Sequence, residues 1–199
     1  MQKELKTIDD IWSHFREGND LAFYLLYDQY ADDLYKYGIR FSKDKEFIKD
    51  CIHDLFLDLY KYRNKLSATD SIKFYLFRSL RRIIHKEQVK LIPFVFDKMF
   101  IPSAEDPVFS HEDYLISVEI ENENHKALNE AVKMLTNRQR EGLSLKFEHD
   151  HTYPQIGEIM GISTQSARTL IYRALKELRK CIDEGSLGVH ILFFLSRKS

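Results

Sequence analysis

The chain has 199 residues, 44% of them hydrophobic, with seven glycines, four prolines and a formal net charge of −1. That length allows one medium domain or two small ones, and the composition is ordinary for a soluble globular protein. The near-neutral total gives no argument for any partner, and the two cysteines, Cys51 and Cys181, exclude a disulfide framework and the usual zinc spacings; they read as reduced thiols of a cytosolic protein.

The N-terminal MQKELKTIDDIW is charged and lacks a long apolar core, so it is not a secretory signal. From Ile8 to about Val89 the pattern is helical almost throughout. Ile11, Phe15, Leu21, Tyr24, Leu25, Tyr27, Leu34, Tyr37 and Phe41 recur at helical spacing, with breaks at Gly18-Asn19 and near Gly38. A second run places Phe47, Ile48, Cys51, Ile52, Leu55, Phe56 and Leu59 in the same way. RNKLSATDS (63–71) reads as a loop, with Asp70 or Ser71 capping the basic helix that follows, and Phe74 and Phe77 are expected in the core. Between Ile92 and Glu112 stand three of the four prolines and no sustained period, which predicts an irregular linker before a helix from about Tyr114 to Met134.

The last third predicts three punctuated helices. TNRQ (136–139) and TYPQ (152–155) both fit a capping box, and Pro154 falls in a first turn where it loses no hydrogen bond. Gly161 is expected to take the positive φ that ends the second helix, Ile162 to plug the corner, and Ser163 to cap the third. Gly157 is expected where a side chain would block a crossing helix. In the third helix Ala167, Leu170, Ile171, Ala174 and Leu178 share one face, while Gln165, Ser166, Thr169, Tyr172, Arg173 and Lys176 share the other. A helix buried on one side, with short polar and basic groups on the other, suits a DNA major groove. The same residues also fit a helical hairpin with a merely solvated polar face. The apolar LGVHILFFL (187–195) is about half the roughly 20 residues a spanning helix needs and is expected to pack on the protein or a partner, without membrane insertion.

Charge is distributed unevenly. Residues 1–92 carry 17 basic and 15 acidic side chains, residues 93–126 carry 2 and 8, and residues 127–199 carry 11 and 8. Two mildly basic blocks flanking an acidic connector suggest separate domains, one or both meeting an anion.

Over 127–180, the segments LTNRQRE, FEHDHTYPQIGEIMGIS and YRALKELR resemble region 4 of bacterial RNA polymerase sigma factors. Thr136 stands where the family usually has proline. DCIHDLFLDLY (50–60) resembles the sigma region 2 signature that grips the polymerase clamp, with His53 in place of the usual glutamine. FYLFRSLRRIIHKEQVK (74–90) resembles the helix of regions 2.3 and 2.4, with Arg82 and Lys86 replacing a frequent Asn and Asp. With residues of about 8–90 and 119–180 covered, the layout is similar to extracytoplasmic-function (ECF) sigma factors.

The resemblance implies an all-α, two-domain protein. Residues 1–92 would be region 2, 93–118 a linker, 119–185 the helix-turn-helix region 4, and 186–199 a C-terminal tail. It implies core RNA polymerase, promoter DNA and an anti-sigma factor as partners, in the cytoplasm and with no cofactor. Asp50, His53, Asp54 and Phe56 would meet the polymerase. Asn64, Lys65, Ser67, Lys73, Arg78, Arg81 and Arg82 would engage the minus-ten element, the loop at 64–70 cradling a flipped base. Thr164, Gln165, Ser166, Arg168, Thr169, Tyr172, Arg173 and Lys176 would read the minus-thirty-five element. From 73 to 90 there are six basic residues and one acid, and basic groups interleaved with aromatics can hold a phosphate backbone while bases leave the stack.

No Gly-rich phosphate loop or nucleophile motif is present, so catalysis by this chain is not expected, and His149 and His151, expected in an exposed turn around Asp150, lack further ligands in register for a metal. Two other classes remain open: a helix-turn-helix regulator acting without core polymerase, and a helical interaction protein with solvated basic faces.

Overall fold

The computed structural model describes residues 8–91 and 131–183. The linker at 93–118, most of the helix expected from Tyr114 and the tail at 187–195 lie outside them. The chain divides into two compact units, Met1–Pro102 and Ser103–Ser199. Every regular element among the described residues is helical, as the all-α expectation requires.

In the first unit α1 (Ile8–Arg16), α2 (Asp20–Gly38), α3 (Lys45–Tyr62) and α4 (Ile72–Leu91) pack together. Each start has a local cause. Gly18 takes a φ of 96° and Asn19 then caps α2, its Oδ1 accepting from Ala22 N at 3.1 Å. Asp44 Oδ1 accepts from the amides of Glu46 and Phe47, opening α3. Ser71, rather than Asp70, caps α4 through its Oγ and the Phe74 amide. The stretch 63–71 is irregular apart from one 3-10 turn, Arg63–Lys65. Phe77 is fully buried, 5.0 Å from the Tyr37 ring, whereas Phe74 is only half-buried.

Leu34 and Tyr37 are buried as expected, but the buried face of the first half of α2 differs from the expected one. Ala22, Leu26, Tyr30, Leu34 and Tyr37 are buried, while Leu21 and Tyr24 are 57% and 62% exposed and Tyr27 is 46% exposed. This helix carries two apolar stripes, and spacing alone does not say which of them meets α3 and α4. Cys51 is buried and free; desolvation, followed by the charges of Glu87, Asp54 and Asp50, pushes its thiol up to about 11, so it stays neutral at physiological pH.

In the second unit the end of a helix at 131–133 leads into α5 (Asn137–Phe147), α6 (Tyr153–Met160) and α7 (Thr164–Asp183). Ala131 and Leu135 form a buried cluster with Ala174 and Leu178 of α7. Arg140, one of the residues of LTNRQRE, turns its Nη1 back to the carbonyls of Leu135 (2.6 Å) and Val132 (3.4 Å), placing a cation on the end of the preceding helix. Both capping boxes form: Thr136 and Gln139 exchange bonds of 2.8 and 3.3 Å, Thr152 and Gln155 of 2.9 and 3.4 Å. Replacing either threonine with alanine should lower stability by about 1 kcal/mol, read as a shift in thermal midpoint, whereas serine should be nearly neutral.

His149 and His151 are not in an exposed turn. They are 3% and 2% exposed, and only Asp150 between them faces solvent. The amides of Glu148 and His149 both bond to Ser144 O, Asp150 takes a left-handed φ of 58°, and the His151 amide bonds to Leu145 O. That wrap folds the chain back over the end of α5 and carries both imidazoles inward.

Candidate nucleic-acid interface

The junction of α6 and α7 is fixed by backbone chemistry. Gly161 ends α6 with φ 67° and ψ 37°, and its amide bonds to Gly157 O. Ile162 N reaches the same carbonyl at 2.8 Å. Ser163 Oγ accepts from Ser166 N at 3.0 Å and opens α7. A Cβ on Gly157 would sit 2.9 Å from Ile162 O and 3.3 Å from Thr164 N. The obstacle at Gly157 is therefore the turn backbone and the first residue of α7, not a crossing helix.

α7 has two faces. Ala167, Ile171, Ala174 and Leu178 are buried. Gln165, Ser166, Arg168, Tyr172, Arg173 and Lys176 are exposed, and Thr164 and Thr169 are half-buried. Three of these side chains are already engaged. Ser166 Oγ pairs with Ser163 Oγ at 2.9 Å, and Thr169 Oγ1 donates to Gln165 O at 3.0 Å. The Arg168 guanidinium stacks 5.4 Å from the Tyr153 ring centroid, a ring that also carries the Lys146 ammonium at 5.2 Å. The outward ridge is thus Gln165, Tyr172, Arg173 and Lys176, with the half-buried Thr169 between them and Arg168 at its α6 edge. Tyr153 was not legible as a partner of Arg168, because the two come together only when α6 folds against α7.

A shallow concavity of about 390 Å³ lies beside this ridge, lined by Thr136, Gln139, Ser163, Gln165, Thr169 and Arg173 among others. The N-terminal ends of α5 and α7 both open onto it. Helix N-termini with an adjacent arginine favour phosphate oxygens.

In the first unit the sequence-predicted residues separate by face. Asp50, His53 and Asp54 stand exposed on α3, with Leu57 52% exposed beside them. Phe56 lies beneath, 3% exposed, with its ring 4.8 Å from Tyr27 and 6.1 Å from Phe23. It shapes the ridge from below. On α4, Arg78 and Arg82 are exposed one turn apart and Arg81 is half-buried beside them. Lys73 points elsewhere, its Nζ 3.6 Å from Asp33 of α2. Asn64, Lys65 and Ser67 are exposed on the loop between α3 and α4. An open groove of about 560 Å³ runs between α3 and the C-terminal half of α4, with Asp54 and Asp58 on one wall and Lys86 and Lys90 on the other.

Among the described residues no group of three or more His, Cys, Asp or Glu is placed to hold a metal ion, and no helix is long and apolar enough to cross a membrane.

Residues 125–178 match the family model for sigma-70, region 4. The chain is 23% identical over 166 residues to the ECF RNA polymerase sigma factor SigM of Bacillus subtilis (strain 168), covering 80% of this chain and 94% of that protein. It is 24% identical over 165 residues to SigX, an ECF RNA polymerase sigma factor of the same organism, covering 80% and 82%. Two solved structures share the fold. CnrH, in complex with the cytosolic domain of CnrY, has a TM-score of 0.57 at 14% identity, covering 89% of this chain and 97% of CnrH. The sigma factor RpoE of Bartonella quintana, in complex with the anti-sigma factor NepR, has a TM-score of 0.57 at 19% identity, covering 81% and 96%. With a region 4 match that encloses α5, α6 and α7 up to its last turns, and two relatives aligned along most of their length, the chain is similar to the ECF sigma factors of RNA polymerase, and this likeness supports a function in transcription initiation.

Proposed function

We propose that the two units divide promoter recognition between them, without an enzymatic step of their own, in the cytoplasm. The α3 ridge of Asp50, His53 and Asp54 docks on core RNA polymerase. The loop at 64–70, with Arg78, Arg81 and Arg82 of α4, takes the minus-ten element. The α7 ridge reads the minus-thirty-five element in the major groove, and the neighbouring concavity receives a phosphate of the same DNA. Lys73, engaged with Asp33, serves the fold more than the DNA. An anti-sigma factor is the partner that would hold the chain inactive, as the complex of RpoE with the anti-sigma factor NepR suggests.

The observation that carries this reading is a separation of charge within one small unit. The exposed acids Asp50 and Asp54 sit on α3 and the exposed arginines Arg78 and Arg82 on α4. A DNA-binding surface alone needs no acidic ridge, and phosphates would repel one. Two surfaces of opposite sign fit two partners, a protein and a nucleic acid. Strand opening then needs no cofactor, because binding of phosphates and unstacked bases offsets unstacking, a few kcal/mol per step.

The polymerase contact is tested by reversing its charge. Asp50→Lys with Asp54→Lys should weaken binding to core polymerase by more than about tenfold, since like charges across an interface cost several kcal/mol. Binding of the chain to duplex DNA should hold or improve. Unchanged core affinity would remove α3 from the contact.

A further inference from the structure

A buried indole anchors the loop between α3 and α4. Trp12 of α1 is 4% exposed, and its Nε1 donates to the backbone carbonyl of Ser67, 3.1 Å away and 55 positions along the chain. The ring is held on two sides, 5.7 Å from Phe15 and 5.8 Å from Tyr75 of α4. An indole has a single donor, which needs a partner once it is buried. Here that partner lies in a stretch whose residues Asn64, Lys65 and Ser67 are themselves exposed.

The rest of the loop is tied only close to home. Leu66 N bonds to Arg63 O at 3.2 Å, and Arg63 in turn reaches Tyr60 O at 2.6 Å. At the other end Thr69 Oγ1 and the Ser71 backbone bond to each other at 3.3 Å. The Trp12 bond differs in kind, because it fixes the middle of the loop to another helix. A loop pinned at its ends and its middle has little conformational freedom left to lose when a base enters it.

We propose that Trp12 is a positioning residue for minus-ten recognition: its indole N–H holds the Ser67 carbonyl, and so sets the conformation in which the 64–70 loop meets a base. This rests on the minus-ten role proposed for that loop. Trp12 itself touches no DNA.

Trp12→Phe keeps an aromatic ring in the core and removes the donor. Leu34→Ala, in the core of α2 and at a residue 0% exposed, is the packing control. Each variant is assembled with core polymerase and run on a randomised promoter library, and its thermal midpoint and core affinity are measured. Trp12→Phe should flatten base preference at the minus-ten positions by about fivefold, the order expected for one hydrogen bond. It should leave minus-thirty-five preference and core affinity intact. Leu34→Ala should lower the thermal midpoint at least as much and leave minus-ten preference unchanged. Unchanged minus-ten preference in Trp12→Phe, the same flattening in Leu34→Ala, or uniform loss at both elements overturns the proposal. If the wild-type chain produces no start of its own, the minus-ten reading fails and this proposal with it.

Discussion

Replacing Arg78 and Arg82 together with alanine should cut open-complex formation by on the order of a hundredfold, the loss expected for two charge-assisted contacts. Both side chains are exposed and lie one turn apart, so they present a single face of α4. Both belong to α4, whereas the acids that we assign to the polymerase belong to α3, so core affinity should stay as it is. The loss should also carry the signature of phosphates. The slope of log affinity against log salt should fall by roughly 1.4, or 0.7 for each single-strand phosphate contact removed. Permanganate reactivity of unpaired thymines reads the opening, and a salt titration on forked DNA reads the slope. An equal loss of core affinity would mean that these arginines serve the polymerase contact or the fold. Arg81 is less suitable for this test, because it is half-buried and its replacement mixes stability with binding.

Gly157→Ala should damage the second unit where α6 meets α7. The added Cβ would meet the Ile162 carbonyl at 2.9 Å and the Thr164 amide at 3.3 Å, and these are backbone atoms that cannot rotate away. Relief requires the turn to open and α7 to shift against α6. The expected destabilisation is about 1–3 kcal/mol, and affinity for the upstream element should fall more than the stability loss alone explains. Gly161→Ala provides the contrast. Nothing lies within 4 Å of its Cβ, and only the φ of 67° is strained, at about 1–2 kcal/mol. It should lower the thermal midpoint while the remaining folded protein reads DNA normally. Equal DNA defects in the two variants would show that close packing at Gly157 does not set the angle of the reading helix.

Much of the second unit was legible in the sequence because its determinants are local. Thr136 with Gln139, Thr152 with Gln155, the left-handed Gly161 and the Ser163 cap all act within three or four positions, and each forms as expected. The two faces of α7 follow from periodicity alone. What the sequence did not disclose depends on contacts distant along the chain or on the path of a single turn. The two apolar stripes of α2 look alike until α3 and α4 choose one. Phe56 reads as part of a surface signature, yet it packs against Phe23 and Tyr27 of α2. His149 and His151 look like turn residues, and burial follows from the wrap around Asp150, which no local rule predicts for histidine. Lys73 belongs to the basic count of α4 but is directed to Asp33. Charge counting therefore located the basic helix and overstated how many of its cations face outward.

On the proposed division of labour, this chain makes core polymerase choose promoters through two separate grips. The most direct test is start-site mapping with core polymerase, the purified chain and a randomised promoter library. Starts should appear that depend on the chain, with base preference in two blocks, one upstream and one at the melted region. Gly157→Ala should erase the upstream block, and the Arg78, Arg82 double variant should suppress opening at the downstream one. Sequence-specific DNA binding with no chain-dependent start would contradict the account and make the chain a regulator acting without core polymerase; no DNA binding at all would make it a helical interaction protein.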